Sequence, residues 1–253
     1  MKFHVLFLDN SFGDWHQSYQ RGALVTWCDP QSGGVNSNSY MGNAPRSILT
    51  NKFFNWLLLT RVFIGQWGRL NGRQKPASTK THLSNEIIHV SLPELWSNIT
   101  AKTLYAMHFV ADKFEFDFLI RANSTCYVNL ASLSNELAKI DREVVYAGPV
   151  IRGKPFVSGW GIILSRKALG ILLESYSSLD FALFDDESIG NIMARNEIFP
   201  VSLPFLEIKS ENQINQLTFE EISATPLYRI KVFENGKRID HALMNSLHKR
   251  VIQ

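Results

Sequence analysis

Two rhythms of apolar residues run along this chain: short unbroken runs, and longer stretches with a helical repeat. The run FHVLFL at 3–8 is aromatic-rich and continuous, which predicts a strand buried on both faces. From Trp15 to Trp27 the repeat turns helical, with Asp14 placed to cap the first turn. The Gly, Ser, Asn and Pro of DPQSGGVNSNSYMGNAP predict a long surface loop over 29–45. Strands are predicted for RVFIGQW (61–67) and EIIHVSLP (86–93), with a basic polar loop over 68–85 between them. NITAKTLYAMHFVAD (98–112) is an amphipathic helix capped by Asn98, and FEFDFLI (114–120) a strong strand after it.

The second half continues the alternation. SLSNELAKI (132–140) predicts a helix, EVVYAG (143–148) a strand, and FVSGWGIILS (156–165) a Gly-interrupted strand. Ser165 is set to cap the helix RKALGILLESY (166–176), and DDESIGNIMARN (185–196) opens with three acids suited to a helix N-terminus. VSLPFLEI (201–208) predicts one short strand; after a polar linker come a strand LYRIKVF (227–233) and a basic helix from Arg238 to Val251. Strands alternating with helices predict an α/β fold whose central, mostly parallel sheet is covered by helices on both faces. Ligands of such sheets bind outside the carboxyl ends of the strands, which directs attention to residues 121–126.

Composition narrows the classes. With 253 residues, 45% of them hydrophobic, the chain can bury the core of one α/β domain or two small ones. The net charge of +3 is too even a balance to mark a nucleic-acid or membrane partner. Cys28 and Cys126 fit neither a disulfide framework nor a zinc motif, and the seven histidines lack metal-ligand spacing. The longest apolar stretch, FFNWLLLTRVFIG, is broken by Arg61 and falls short of the ~20 residues that span a bilayer. The start MKFHVLFLDN lacks a signal-peptide cleavage site, so the expectation is a soluble, cytoplasmic protein without a transmembrane segment. On that expectation the sequons at Asn98 and Asn123 go unused.

Several residues carry candidate chemistry. Asp185 and Asp186 are either a catalytic acid pair or a simple complement to a helix dipole. Gly159 and Gly161 let backbone approach a ligand, and Trp160 between them either stacks on a sugar or fills the core. Arg229 and Lys231 alternate along a predicted strand, so both share one face, as a phosphate site or as the guard of an edge strand.

Five of these segments, in order, resemble the β-1,3-glycosyltransferases of the Fringe and β-1,3-galactosyltransferase type. YQRGALVTW (19–27) is similar to that family's R-x-x-I-R-x-T-W, WSNITAKTL (96–104) to Y-x-N-L-T-x-K-T-L, and FDFLIRANSTCYVN (116–129) to Y-D-F-V-L-K-T-D-D-D-V-F-V-N. PFVSGWGIILSRKAL (155–169) looks like P-Y-x-x-G-x-G-Y-V-L-S-x-D, and FDDESIGNIM (184–193) like E-D-V-Y-x-G. The resemblance implies one GT-A domain over 1–253, with a nucleotide-binding half (1–130) and an acceptor-binding, catalytic half (131–253). It further implies an inverting hexosyl transfer from a nucleotide-sugar donor, UDP-linked, to a glycan hydroxyl, in the setting of polysaccharide biosynthesis. Asp186 matches the family's general base, Asp185 its neighbour, and Gly159, Trp160 and Gly161 line the acceptor or sugar side.

One departure changes the expected chemistry. The family's D-D-D falls on Asn123, Ser124 and Thr125, whose neutral oxygens hold a hard cation such as Mn²⁺ or Mg²⁺ weakly. No cofactor is therefore expected. The charge of the leaving diphosphate falls instead to cationic side chains, with Lys102, Arg121, Arg229, Lys231 and Arg238 as candidates, and Asn123, Ser124 and Thr125 complete the expected donor-binding set. The rival expectation is a catalytically silent relative that only binds a glycan or nucleotide. Oligomeric state is not legible.

Overall fold

The computed structural model describes residues 1–7, 23–30, 81–84, 87–90, 99–151, 153–180, 183–234 and 237–252. Its centre is an eight-stranded sheet in the order β3-β4-β2-β1-β5-β8-β7-β9. These strands are β1 Phe3–Phe7, β2 Ala23–Pro30, β3 Thr81–Ser84, β4 Ile87–Val90, β5 Phe118–Ala122, β7 Tyr146–Gly148, β8 Gly161–Ser165 and β9 Val201–Ser202. The pairs β4·β2, β2·β1, β1·β5 and β7·β9 are parallel, whereas β3·β4, β5·β8 and β8·β7 are antiparallel. The sheet is thus mixed, with parallel strands at its centre. A three-stranded sheet, β10 (Phe205–Ile208), β11 (Leu227–Ile230) and β6 (Cys126–Val128), packs alongside, and β12 (Phe233–Glu234) pairs with β13 (Lys237–Arg238).

Strand alternation sorts the core into two layers. Phe3, Val5, Ile120, Ala122, Ala147 and Ile163 face one side. There they meet α2 (Leu130–Ala138), α5 (Glu211–Gln216), α7 (Asp240–Val251) and the small sheet. Leu6, Leu119, Tyr146, Ile162 and Leu164 face the other side, under α1 (Ile99–Lys113), α3 (Arg166–Glu174) and α4 (Asp185–Arg195). The expected coverage of both faces by helices is what the structure has. Within β5 this alternation leaves Arg121 on the α1/α4 side, a cation at a core position. It requires a counter-charge.

Local chemistry explains most element boundaries. Ser165 accepts from Ala168 N and caps α3, as the sequence predicts; Asn129 caps α2 through Ser132 N. Four expectations need correction. Residues 23–27, predicted as the end of a helix, lie in β2, because pairing with β1 over Phe3↔Ala23 to Phe7↔Trp27 outweighs a helical repeat. The predicted loop 68–85 contains β3 at its end, held antiparallel to β4. Residues 201–208 form two strands in different sheets, separated by Leu203 and Pro204. The predicted polar linker after Ile208 folds into α5 and α6 (Phe219–Ala224), capped by Ser210 and by a full capping box between Thr218 and Glu221. The strand predicted at 61–67, the loop at 29–45 beyond Pro30, the helix start near Asp14 and the Asn98 cap lie outside the described residues.

The α4 helix sits close against the segment that leads into β8, at Phe156, because residue 190 is glycine. A Cβ there would lie 2.3 Å from Phe156 Cβ, well inside van der Waals contact. Gly190→Ala is therefore expected to lower stability by about 1–3 kcal/mol through overpacking, read as a shift in the denaturation midpoint. An unchanged midpoint would mean that α4 moves freely.

Candidate active site

The carboxyl ends of the parallel strands β1 and β5 meet the start of β8, since Ala122 pairs with Gly161. The turn entering β8 is closed by Gly161 N donating to Ser158 O at 3.1 Å, and Ser158 N donates to Pro149 O at 2.8 Å. Gly159 and Trp160 occupy the middle of this turn. The first turn of α4 abuts it: Gly159 N donates to Asp186 Oδ2 at 3.0 Å.

Asp185 and Asp186 have different surroundings. Asp185 is buried and forms an ion pair with Nη2 of Arg121, itself only 4% exposed. Thr103 on α1 donates its hydroxyl to the same Asp185 Oδ2 at 3.0 Å. Burial pushes the Asp185 carboxyl above its usual range; Arg121 pulls it back, Asp186 adds to the rise, and the Thr103 hydroxyl opposes it. Asp186 is half-buried. Its Oδ1 accepts from Glu187 N at 2.9 Å and its Oδ2 from Gly159 N, so each oxygen retains lone-pair capacity for a further proton donor. Asp186 is the more accessible of the two acids.

Gly159 sits between opposite charges. A Cβ on this residue would lie 3.2 Å from Arg121 Nη1 and 3.2 Å from Asp186 Oδ2. A side chain here would fill the space where guanidinium and carboxylate face each other.

The remaining predicted residues divide. Asn123, Ser124 and Thr125 form the turn between β5 and β6, and Asn123 Oδ1 accepts from Thr125 N at 3.0 Å and from Thr125 Oγ1 at 2.6 Å. Ser124 and Thr125 are buried. The turn is thus closed by its own side chains. Arg229 lies opposite Cys126 in the β6·β11 register, 3.2 Å from Glu207 Oε1, with its guanidinium 6.0 Å from the Trp160 ring. Burial raises the Cys126 thiol, with Arg121 and Arg229 both acting against the rise, which places that thiol near the two arginines.

Three expectations change. β11 is the middle strand of its sheet, so Arg229 guards no edge. Lys231 is exposed beyond the end of β11 at Ile230 and does not share a strand face with Arg229. Trp160 is 4% exposed and meets Phe205 edge-on at 5.5 Å, so it belongs to the core and has no open face for a sugar. Lys102 is buried on α1, beside Thr103. Arg121, expected to serve the donor phosphates, has its charge met by Asp185.

Sequence reasoning missed Thr103. The signal was present, because Thr100, Thr103, Met107 and Val110 recur at helical spacing on one buried face, and a hydroxyl on such a face needs an acceptor. Thr100 finds one in Leu183 O at 2.8 Å, joining α1 to the segment before α4.

The oxygens of the 123–125 turn are neutral donors, which hold a hard divalent cation weakly. Asn123 Oδ1 is occupied by Thr125, and among the described residues no three His, Cys, Asp or Glu side chains cluster as ligands. Among those residues, too, no helix is long and apolar enough to cross a membrane.

No protein-family model and no curated protein sequence matches the chain. Among solved structures it is similar to a glycosyltransferase involved in the glycosylation of the major capsid of PBCV-1, at 9% identity and a TM-score of 0.42, over 98% of this chain and 100% of that one.

Proposed function

We propose that the protein is a GT-A-type, inverting glycosyltransferase that moves a hexosyl group from a nucleotide-sugar donor, UDP-linked, to a glycan hydroxyl. One observation carries this reading. Thr103, Arg121, Gly159 and the pair Asp185/Asp186 come from four segments that resemble motifs of the Fringe-type family, and they meet at one spot around a half-buried carboxylate.

In the proposed reaction Asp186 takes the proton of the acceptor hydroxyl as its oxygen bonds to the anomeric carbon. The bond from that carbon to the phosphate oxygen breaks on the opposite face, and the nucleoside diphosphate leaves with the electron pair. Arg229, which also pairs with Glu207, and the exposed Lys231 are the cations proposed to balance the leaving charge.

Incubation with a panel of UDP-sugars and glycan acceptors, followed by mass spectrometry, tests the reading: a glycosylated product and free UDP are expected. A chelator is expected to leave turnover within about twofold, because the turn at 123–125 offers a cation only neutral oxygens. A second reading, a silent relative that binds without transfer, draws on the same closed turn. Donor binding with no UDP release across the panel would select it.

A further inference from the structure

Arg121 is a cation on an otherwise apolar strand face, and such a buried pair gives little net stability compared with apolar residues of the same volume. What the pair does achieve is geometric. Asp185 is held from β5 by Arg121 and from α1 by Thr103, and the next residue in the chain is Asp186. The guanidinium spans both acids: Nη2 binds Asp185, Nη1 reaches the space beside Gly159 that Asp186 Oδ2 also borders, and the buried Nε has no hydrogen-bond partner. Because the charges of Arg121 and Asp185 cancel, Asp186 is left as the net negative charge of this cluster.

We infer that Thr103, Arg121 and Asp185 act together as a positioning unit for Asp186, fixing its carboxylate against the Gly159 amide. The inference rests on the reading of Asp186 as the base and assigns to that reaction three residues that touch neither substrate nor the reacting atoms. Thr103 and Arg121 act through Asp185, and Asp185 acts through the helix turn it shares with Asp186.

The test is the double variant Arg121→Met with Asp185→Leu, which replaces the pair by apolar side chains of similar size and is expected to keep the fold. Two readouts follow. Hydrogen exchange at the Gly159 amide reports its bond to Asp186 and is expected to quicken by about tenfold, the loss of one charge-assisted hydrogen bond. Steady-state kinetics are expected to show kcat lower by about 10²-fold, the effect of a misplacement near 1 Å, with KM changed by less than about threefold. A folded double variant with wild-type exchange at Gly159 and wild-type kcat overturns the inference. Should the double variant fail to fold, Thr103→Val and Thr103→Ser decide. Loss of Gly159 protection in the valine variant and its retention in the serine variant support the unit; equal behaviour of the two overturns it. The exchange readout needs no substrate. An Asp186→Asn protein that keeps full turnover would therefore remove the base while leaving the positioning result to stand or fall by itself.

Discussion

Asp186→Asn is expected to lower turnover by about 10²–10⁴-fold, the contribution of a positioned general base, with donor affinity unchanged. The substitution keeps shape and one carbonyl oxygen, so the damage is confined to proton transfer and to one of the two backbone N–H groups that now bond the carboxylate, from Gly159 and Glu187. Losing one of these costs about 1 kcal/mol, too little to unfold the protein. Single-turnover kinetics with the UDP-sugar identified by the panel, together with calorimetric donor binding, separate the two effects. Turnover within tenfold of wild type would remove Asp186 from the chemistry. The adjacent acid gives the contrasting result. Asp185→Asn leaves the buried Arg121 guanidinium without its counter-ion, a loss of about 3–5 kcal/mol, and so shows first as a lowered melting temperature. Asp186→Asn should thus fail in the kinetic assay alone, whereas Asp185→Asn should fail in the thermodynamic assay as well as the kinetic one.

What could be read from the sequence follows the physics of each segment. α1, α3 and α4 have a clear apolar repeat or an acidic first turn, and their positions are local properties of 99–113, 166–174 and 185–195. β2 misleads because Ala23–Pro30 takes its state from pairing with β1, a contact its own residues do not encode. The linker that became α5 and α6 hid a signal in plain view: Ser210 and Thr218 stand where caps belong, and Glu221 completes the box. At the site, the prominence of Asp185 and Asp186 at a helix start was legible, but their different surroundings were not, since it is the strand alternation turning Arg121 toward α4 that pairs the guanidinium with Asp185. Trp160 shows the reverse. Its place between two glycines suggests a ligand platform, yet the turn directs the indole toward Phe205 and the small sheet.

Stability should fall steeply as pH drops from about 6.5 toward 4, with His4 as the main cause. His4 is fully buried on β1, its ring 4.8 Å from that of Phe114 and 5.8 Å from that of Phe116. Burial lowers its pKa to about 4, against roughly 6.5 in an unfolded chain. Above 6.5 both states hold a neutral imidazole and the fold loses nothing. Between 6.5 and 4 the unfolded chain binds a proton that the native state refuses, so unfolding becomes progressively easier. The full difference comes to about 3 kcal/mol. His248, half-buried with Nδ1 2.7 Å from the Tyr127 hydroxyl, is also lowered by burial and adds in the same direction. Chemical denaturation of wild type and His4→Phe between pH 7 and about 5, above the range where most carboxylates titrate, isolates the imidazole contribution. The variant keeps an aromatic ring against Phe114 and Phe116 but cannot bind a proton, so its unfolding free energy should lie on a much flatter curve. Parallel curves for the two proteins would mean that His4 is protonated as readily in the fold as outside it, and that the packing of β1 against Phe114 and Phe116 is looser than its burial indicates.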